Sequence, residues 1–245
     1  GLTGIADPGL VVTEPFAEWV LAGEFKTDRP AWETMGAKFV DQIGPHEMRK
    51  LYLLNGSHSL MAYCAPVLGL ETVYQAINDE RVRGWVNAYW DDAVQQVPLG
   101  DDEKQAYRDA LIDRFNNPQM KDQLARIAMD GTQKLPQRVL ATIRDNLAAG
   151  RPVDRAALCV AAWMRYVRGV DERGAAIDLR DPLADRLARA RLGTPGERVV
   201  ALLAMTDVFG LDLAQAPGFV AAVAHWLERL ERDGAATVVR QAAAA

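Results

Sequence analysis

Cysteine, histidine and long apolar runs are all scarce in this chain, and each scarcity removes a class of function. The two cysteines, Cys64 and Cys159, lie far apart in apolar stretches without CxxC spacing. That usage favours reduced, buried thiols in a cytoplasmic protein over a disulfide frame. The three histidines, His46, His58 and His225, are too dispersed for a zinc motif, and the stretch from Pro45 to Lys50 lacks the second histidine of HExxH, so no metal is expected. Ser57 and Ser59 flank His58 without a GxSxG context, and adjacent helical residues do not face one another, which argues against a Ser-His hydrolase. No run of about 18 apolar residues occurs, and no basic segment leads into an apolar one at the amino terminus, so neither membrane insertion nor secretion is indicated. The 28 basic and 33 acidic residues are interspersed at a net charge of -5, which leaves no basic stripe for nucleic acid. A glycine-rich nucleotide turn is missing too: Gly1, Gly4 and Gly9 are not spaced as GxGxxG, no GxxxxGK[ST] occurs, and strands do not alternate with helices.

What is present is helix. With 245 residues and 49% hydrophobic content, the chain can bury one large core or two small ones. Residues 10–21 are rich in β-branched and aromatic side chains and are interrupted by Pro15, which predicts one or two short strands with Pro15 at an edge or bend. After Pro45 the pattern predicts helices near 46–67, 71–77, 79–96, 102–115, 120–129, 135–148, 153–169, 181–190, 196–208 and 216–232. Asp101 and Asp102 offer an N-cap, and Pro98-Leu99-Gly100 and Asn116-Asn117-Pro118 mark stops.

Into the first of these helices the chain places Lys50, Asn55 and His58. At α-helical spacing Asn55 lies about 140° and His58 about 80° around the axis from Lys50, so the three can share one broad face. A lysine desolvated among apolar neighbours exchanges protons near neutral pH, an amide donates to a developing oxyanion, and an imidazole holds a hydroxyl. The same residues fit a structural reading, in which Lys50 snorkels to water, Asn55 with Gly56 marks a kink, and His58 is a hydrogen-bonded core residue. A second polar patch runs from Arg126 to Pro136. There Arg126 and Lys134 can recognise hydroxyls or a carboxylate, or simply be solvated around a loop capped by Asp130.

These stretches, with Thr13-Glu14-Pro15-Phe16, Arg29-Pro30-Ala31-Trp32-Glu33, Arg114-Phe115-x-Asn117-Pro118, Asp130-Gly131-x-Gln133-Lys134-Leu135-Pro136 and Trp163-Met164-Arg165-Tyr166, stand in the order of one known family. The chain resembles the carboxy-terminal part of the long-chain mannitol dehydrogenases, also called polyol-specific long-chain dehydrogenases, and is slightly closer to their fructuronate reductase (mannonate oxidoreductase) branch. The resemblance implies a mainly α fold. Residues 43–245 would form a multi-helical substrate domain of the 6-phosphogluconate dehydrogenase C-terminal-like kind, and residues 1–42 a short β remnant of a Rossmann-type domain. It implies Lys50 as general acid/base, Asn55 as oxyanion stabiliser, His58 as substrate ligand, and Arg126 and Lys134 as substrate-binding cations. The implied reaction is NAD- or NADP-dependent interconversion of a secondary alcohol and a ketone on a small-molecule sugar acid or polyol, without a metal. The cofactor would be bound mainly by an amino-terminal Rossmann-type domain that these residues lack, so that they alone would not turn over. The beginning at Gly1 fits either a cloning scar or a piece of something longer. The alternative is a non-catalytic helical binding or scaffold module that retains the family fold.

Overall fold

Helix follows helix from Gly44 onward in the computed structural model, which describes residues 4, 8, 9 and 13–244 and, of Ala244, the backbone alone. The chain divides into two compact units, 1–43 and 44–245.

In the first unit, strand β1 (Val20–Ala22) pairs in parallel with β2 (Lys38–Val40), Val20 lying opposite Lys38 and Ala22 opposite Val40. Parallel pairing requires a crossover, and here it contains a 3-10 turn, Trp32–Met35, closed by Gly36 at a left-handed φ of 92°. The strand expected over 10–21 is thus found three residues long and at its end; 10–12 lie outside the described residues, and 13–19 are not strand. The second strand was not legible because Lys38-Phe39-Val40 is too short to show alternation. Arg29 organises this unit: its guanidinium lies 3.8 Å from the Phe39 ring centroid and donates to Glu33 at 2.7 Å.

The second unit is helical. Its helices are α1 (Gly44–Arg49), α2 (Gly56–Cys64), α3 (Val73–Asn78), α4 (Glu80–Ala93), α5 (Asp101–Phe115), α6 (Leu124–Ala128), α7 (Gly131–Leu135), α8 (Ala141–Ala148), α9 (Asp154–Tyr166), α10 (Ala184–Ala190), α11 (Pro195–Leu203), α12 (Thr206–Ala214), α13 (Pro217–Arg232) and α14 (Ala235–Ala244). The mainly α fold is as expected. Helix α9 is apolar on every side from Ala156 to Met164, and every residue from Ala156 to Tyr166 is buried, as a helical stretch without a polar face must be. Around it pack α2, α4 and α13, while α14 lies along α4. Cys64 and Cys159 are buried and unbridged, and burial pushes both thiols far above the usual range. No single helix among the described residues is long and apolar enough to cross a membrane.

Several boundaries differ from the sequence expectation for local reasons. The helix expected over 196–208 stops at Leu203, and α12 restarts at Thr206 and bends at Gly210, where φ is 72° and ψ 165°. Residues 120–123 are not helical; Gln123 instead forms a bridge with Thr72. Most consequential, the first helix is not uniform.

Candidate active site

Between α1 and α2 the residues Lys50–Asn55 form a π-helical turn. Arg49 and Gly56 at its ends keep right-handed helical dihedrals (φ -53°, ψ -50° and φ -62°, ψ -52°), so 44–64 is one rod with a widened turn inside it. Such i→i+5 turns loosen the backbone ladder and occur often at functional sites. Here the loosened carbonyls are taken by side chains. Ser57 Oγ donates to Leu53 O at 2.6 Å, Trp90 Nε1 donates to the same oxygen at 3.0 Å, and Tyr89 Oη donates to Tyr52 O at 3.2 Å. Below the turn, the Tyr52 hydroxyl donates to Asp145 at 2.5 Å, and Arg49 is buried against the Tyr107 ring and paired with Glu103 at 2.9 Å.

Gly56 makes this bracing possible. A Cβ there would collide with the Tyr89 hydroxyl and lie 3.0 Å from two of its ring carbons. The kink that sequence suggested at Asn55-Gly56 is absent, since both residues are helical. The missing side chain instead lets the Tyr89 ring rest on the helix backbone.

The widened turn also changes the geometry expected of the three polar residues. Tyr52, Leu53 and Leu54 form its buried arc, and Lys50 and Asn55 form its exposed and half-buried ends. Spacing of i→i+5 lays Asn55 nearly over Lys50, where α spacing would have set them about 140° apart. His58 follows on α2, half-buried, with its ring centroid 4.9 Å from that of Phe115. The desolvation expected of Lys50 is not found: it is exposed, because the apolar neighbours that suggested it all face the other way.

The second patch lies on elements packed against this rod: α2 meets α6, and the segment after α7 meets both α2 and the π turn. Arg126, on α6, is exposed and paired with Asp122 at 2.8 Å, so it serves a ligand only by exchanging that partner. Lys134, on α7, is half-buried and donates to Ile127 O at 3.1 Å. Burial first, and then the positive charge of Arg138, hold it below the usual lysine range. The turn before α7 needs its glycine: Asp130 is left-handed at φ 57°, and a Cβ on Gly131 would sit 2.6 Å from Trp163 Nε1 and 3.0 Å from the Tyr63 hydroxyl. After α7 the helix continues into a second π segment, Pro136–Leu140, where proline lacks the N–H for the α ladder and its ring displaces the preceding turn. Tyr89 reaches this segment as well, its hydroxyl 3.3 Å from Arg138 O. One side chain from α4 therefore ties the two π segments together. Tyr89, Trp90, Gly56 and Arg138 are the contributors that sequence reasoning missed; of these only Gly56, beside Asn55, carried a local signal.

The family model described as the mannitol dehydrogenase C-terminal domain matches residues 42–231. The chain belongs to this family. It is 40% identical over 236 residues to a D-mannonate oxidoreductase of Escherichia coli, covering 95% of this chain and 48% of that protein. It is 37% identical over 246 residues to a mannitol 2-dehydrogenase of Phaeosphaeria nodorum, covering 97% and 42%. The solved ternary complex of Pseudomonas fluorescens mannitol 2-dehydrogenase with NAD and D-mannitol superposes with a TM-score of 0.86 at 36% identity, over 93% of this chain and 46% of that one. The chain thus spans about half the length of the curated relatives it matches. The helical architecture agrees with a mannitol dehydrogenase C-terminal domain, and the π turn carries Lys50 and Asn55 of this chain's Lys50-x4-Asn55-x2-His58 stretch.

Proposed function

We propose that this chain is the substrate-handling, carboxy-terminal half of a nicotinamide-dependent oxidoreductase that interconverts a secondary alcohol and a ketone on a linear polyol or sugar acid. The observation that carries this reading is the π turn, whose exposed and half-buried ends are Lys50 and Asn55, with His58 following on the same rod. In oxidation Lys50 accepts the hydroxyl proton and in reduction returns it; the Asn55 amide donates to the oxygen as charge develops there; His58 fixes a neighbouring hydroxyl. Lys134 and Arg126 bind the rest of the polyhydroxylated chain. No metal ion is needed in this scheme, because the ammonium and the amide between them serve the reacting oxygen.

The described residues do not themselves fit a dinucleotide. β2 leads into α1 through Asp41-Gln42-Ile43 without a glycine-rich turn, and the sheet has only two short strands. NAD or NADP is assigned to an amino-terminal Rossmann-type domain that lies mostly outside these residues, with residues 1–42 as its remnant and 43–245 as the substrate domain. Support comes from the share of each relative that the chain spans and from the NAD held by the Pseudomonas fluorescens enzyme. The test is a spectrophotometric assay of the full-length gene product containing this chain, with both cofactors and a set of six-carbon polyols and sugar acids. Reduced nicotinamide should accumulate with at least one of them. A protein that binds cofactor and turns over none is the scaffold alternative instead.

A further inference from the structure

Three arginines in the helical unit are held below the usual arginine range by burial: Arg138, Arg165 and Arg198. Two have partners that explain them. Arg165 donates to Val170 O and Asp171 O, and Arg198 pairs with Glu231. Arg138 is half-buried, and its guanidinium makes no hydrogen bond and no ion pair among the described residues. A half-buried cation without a counter-charge in the protein holds an incoming anion more strongly than a fully solvated one does.

Its position says where that anion would lie. Arg138 stands one turn after Lys134, and the two cations are close enough for Arg138 to depress Lys134. Asp130 and Asp181 act on Lys134 in the opposite sense, but Asp181 is already committed to the Thr132 N–H and hydroxyl at 2.9 and 2.6 Å. The backbone of Arg138 is tied through Tyr89 to that of Tyr52, inside the turn that carries Lys50 and Asn55. On the rod, Asn55 at the end of the π turn and Ser59 and Tyr63 on α2 lie at i, i+4 and i+8, along one stripe. The Ser59 and Tyr63 hydroxyls on it are buried and have no partner among the described residues. Tyr63 is also the group that acts electrostatically on Arg138. Two buried hydroxyls without partners among the described residues thus follow Asn55 along the rod, and the second of them, that of Tyr63, is near enough to Arg138 to act on it.

We propose that Arg138, beside Lys134, recognises the carboxylate of an acyclic sugar acid, so that this site selects an aldonate over a neutral polyol. The inference rests on the oxidoreductase reading above. A guanidinium matches a carboxylate with two parallel hydrogen bonds, whereas a hydroxymethyl group leaves it as uncompensated as it stands now. Arg138 is a specificity residue in this assignment and takes no part in the proton transfer.

The test measures kcat/KM of the full-length gene product for D-mannonate and D-mannitol, with NAD and NADP each supplied, in the wild type, Arg138→Gln and Arg138→Lys. The wild type should favour the acid. In Arg138→Gln the acid-to-polyol ratio should fall about 10- to 100-fold, the range for losing a charge-assisted hydrogen-bonded pair, with the loss in KM for the acid. Arg138→Lys, which keeps the charge but not the fork, should recover part of it. A ratio that stays constant across the three proteins, whatever happens to the absolute rates, overturns the inference, as does a wild type that prefers mannitol. A wild type that oxidises neither compound is compared instead on its best six-carbon sugar acid and its best polyol, and one that turns over no member of that set defeats the oxidoreductase reading itself, a result distinct from both.

Discussion

Lys50→Ala in the full-length gene product is expected to lower kcat by about 10²- to 10⁴-fold, the usual worth of a positioned acid/base, with cofactor binding and folding retained. The structural side of this expectation is that Lys50 is exposed, so that its truncation opens no cavity and should shift stability by no more than about 0.5 kcal/mol. The neighbouring Arg49 behaves oppositely. It is buried, stacked on Tyr107 and paired with Glu103, and Arg49→Ala would lose stability rather than chemistry. Comparing the two adjacent substitutions separates catalysis from folding within one turn of helix. If Lys50→Ala retains near-normal turnover, the proton belongs to another group and the assignment fails.

Gly56→Ala carries the second large effect, this time on stability. The new methyl group would occupy the space of the Tyr89 hydroxyl, and Tyr89 is fully buried between α2 and the second π segment. Overpacking of a tight core costs about 1–3 kcal/mol, and displacing the hydroxyl from the Tyr52 and Arg138 carbonyls leaves buried acceptors less satisfied, at about another 1–3 kcal/mol. A loss of about 2–6 kcal/mol in denaturant unfolding is therefore expected. Tyr89→Phe alone should lose about 1–2 kcal/mol. The two substitutions share one contact, so the double variant should be markedly less destabilised than their sum. Strict additivity would mean that Gly56 and Tyr89 do not meet as described.

Much of the helical layout was open to reading because punctuation and burial agree locally. Pro45 opens the rod, Thr72 and Asp79 cap α3 and α4, and the all-apolar stretch of α9 has to be central. The π turns were not legible. Their sequences, Lys50–Asn55 and Pro136–Leu140, carry ordinary helical composition. What widens the first is a set of partners on α4, Tyr89 and Trp90, distant in sequence. For the same reason the sequence left open whether Lys50 is desolvated or reaches water: its neighbours are apolar along the chain, and only the register decides which way they face. Arg138 escaped notice because Pro136 suggests a helix beginning, when α7 already runs from Gly131. Helix α14 was missed because alanine repeats after Gly234 resemble a tail; in the fold Ala243 presses directly on Gly84 of α4.

The resemblance supplied roles for Lys50, Asn55 and His58, and the structure supplies a physical reason for their spacing. A lysine and an asparagine five positions apart match the i→i+5 hydrogen-bond spacing of a π turn, so the motif and the backbone distortion are consistent with each other.

Chemical rescue addresses that claim most directly. Small primary amines should restore turnover to Lys50→Ala in proportion to their concentration and basicity, because the site vacated is exposed and the missing function is proton transfer. The same amines should leave Asn55→Ala unrepaired, since an amide that stabilises an oxyanion is not replaced by a base. Equal rescue of both variants, or none in Lys50→Ala while substrate still binds, would contradict the division of labour proposed for the two ends of the turn.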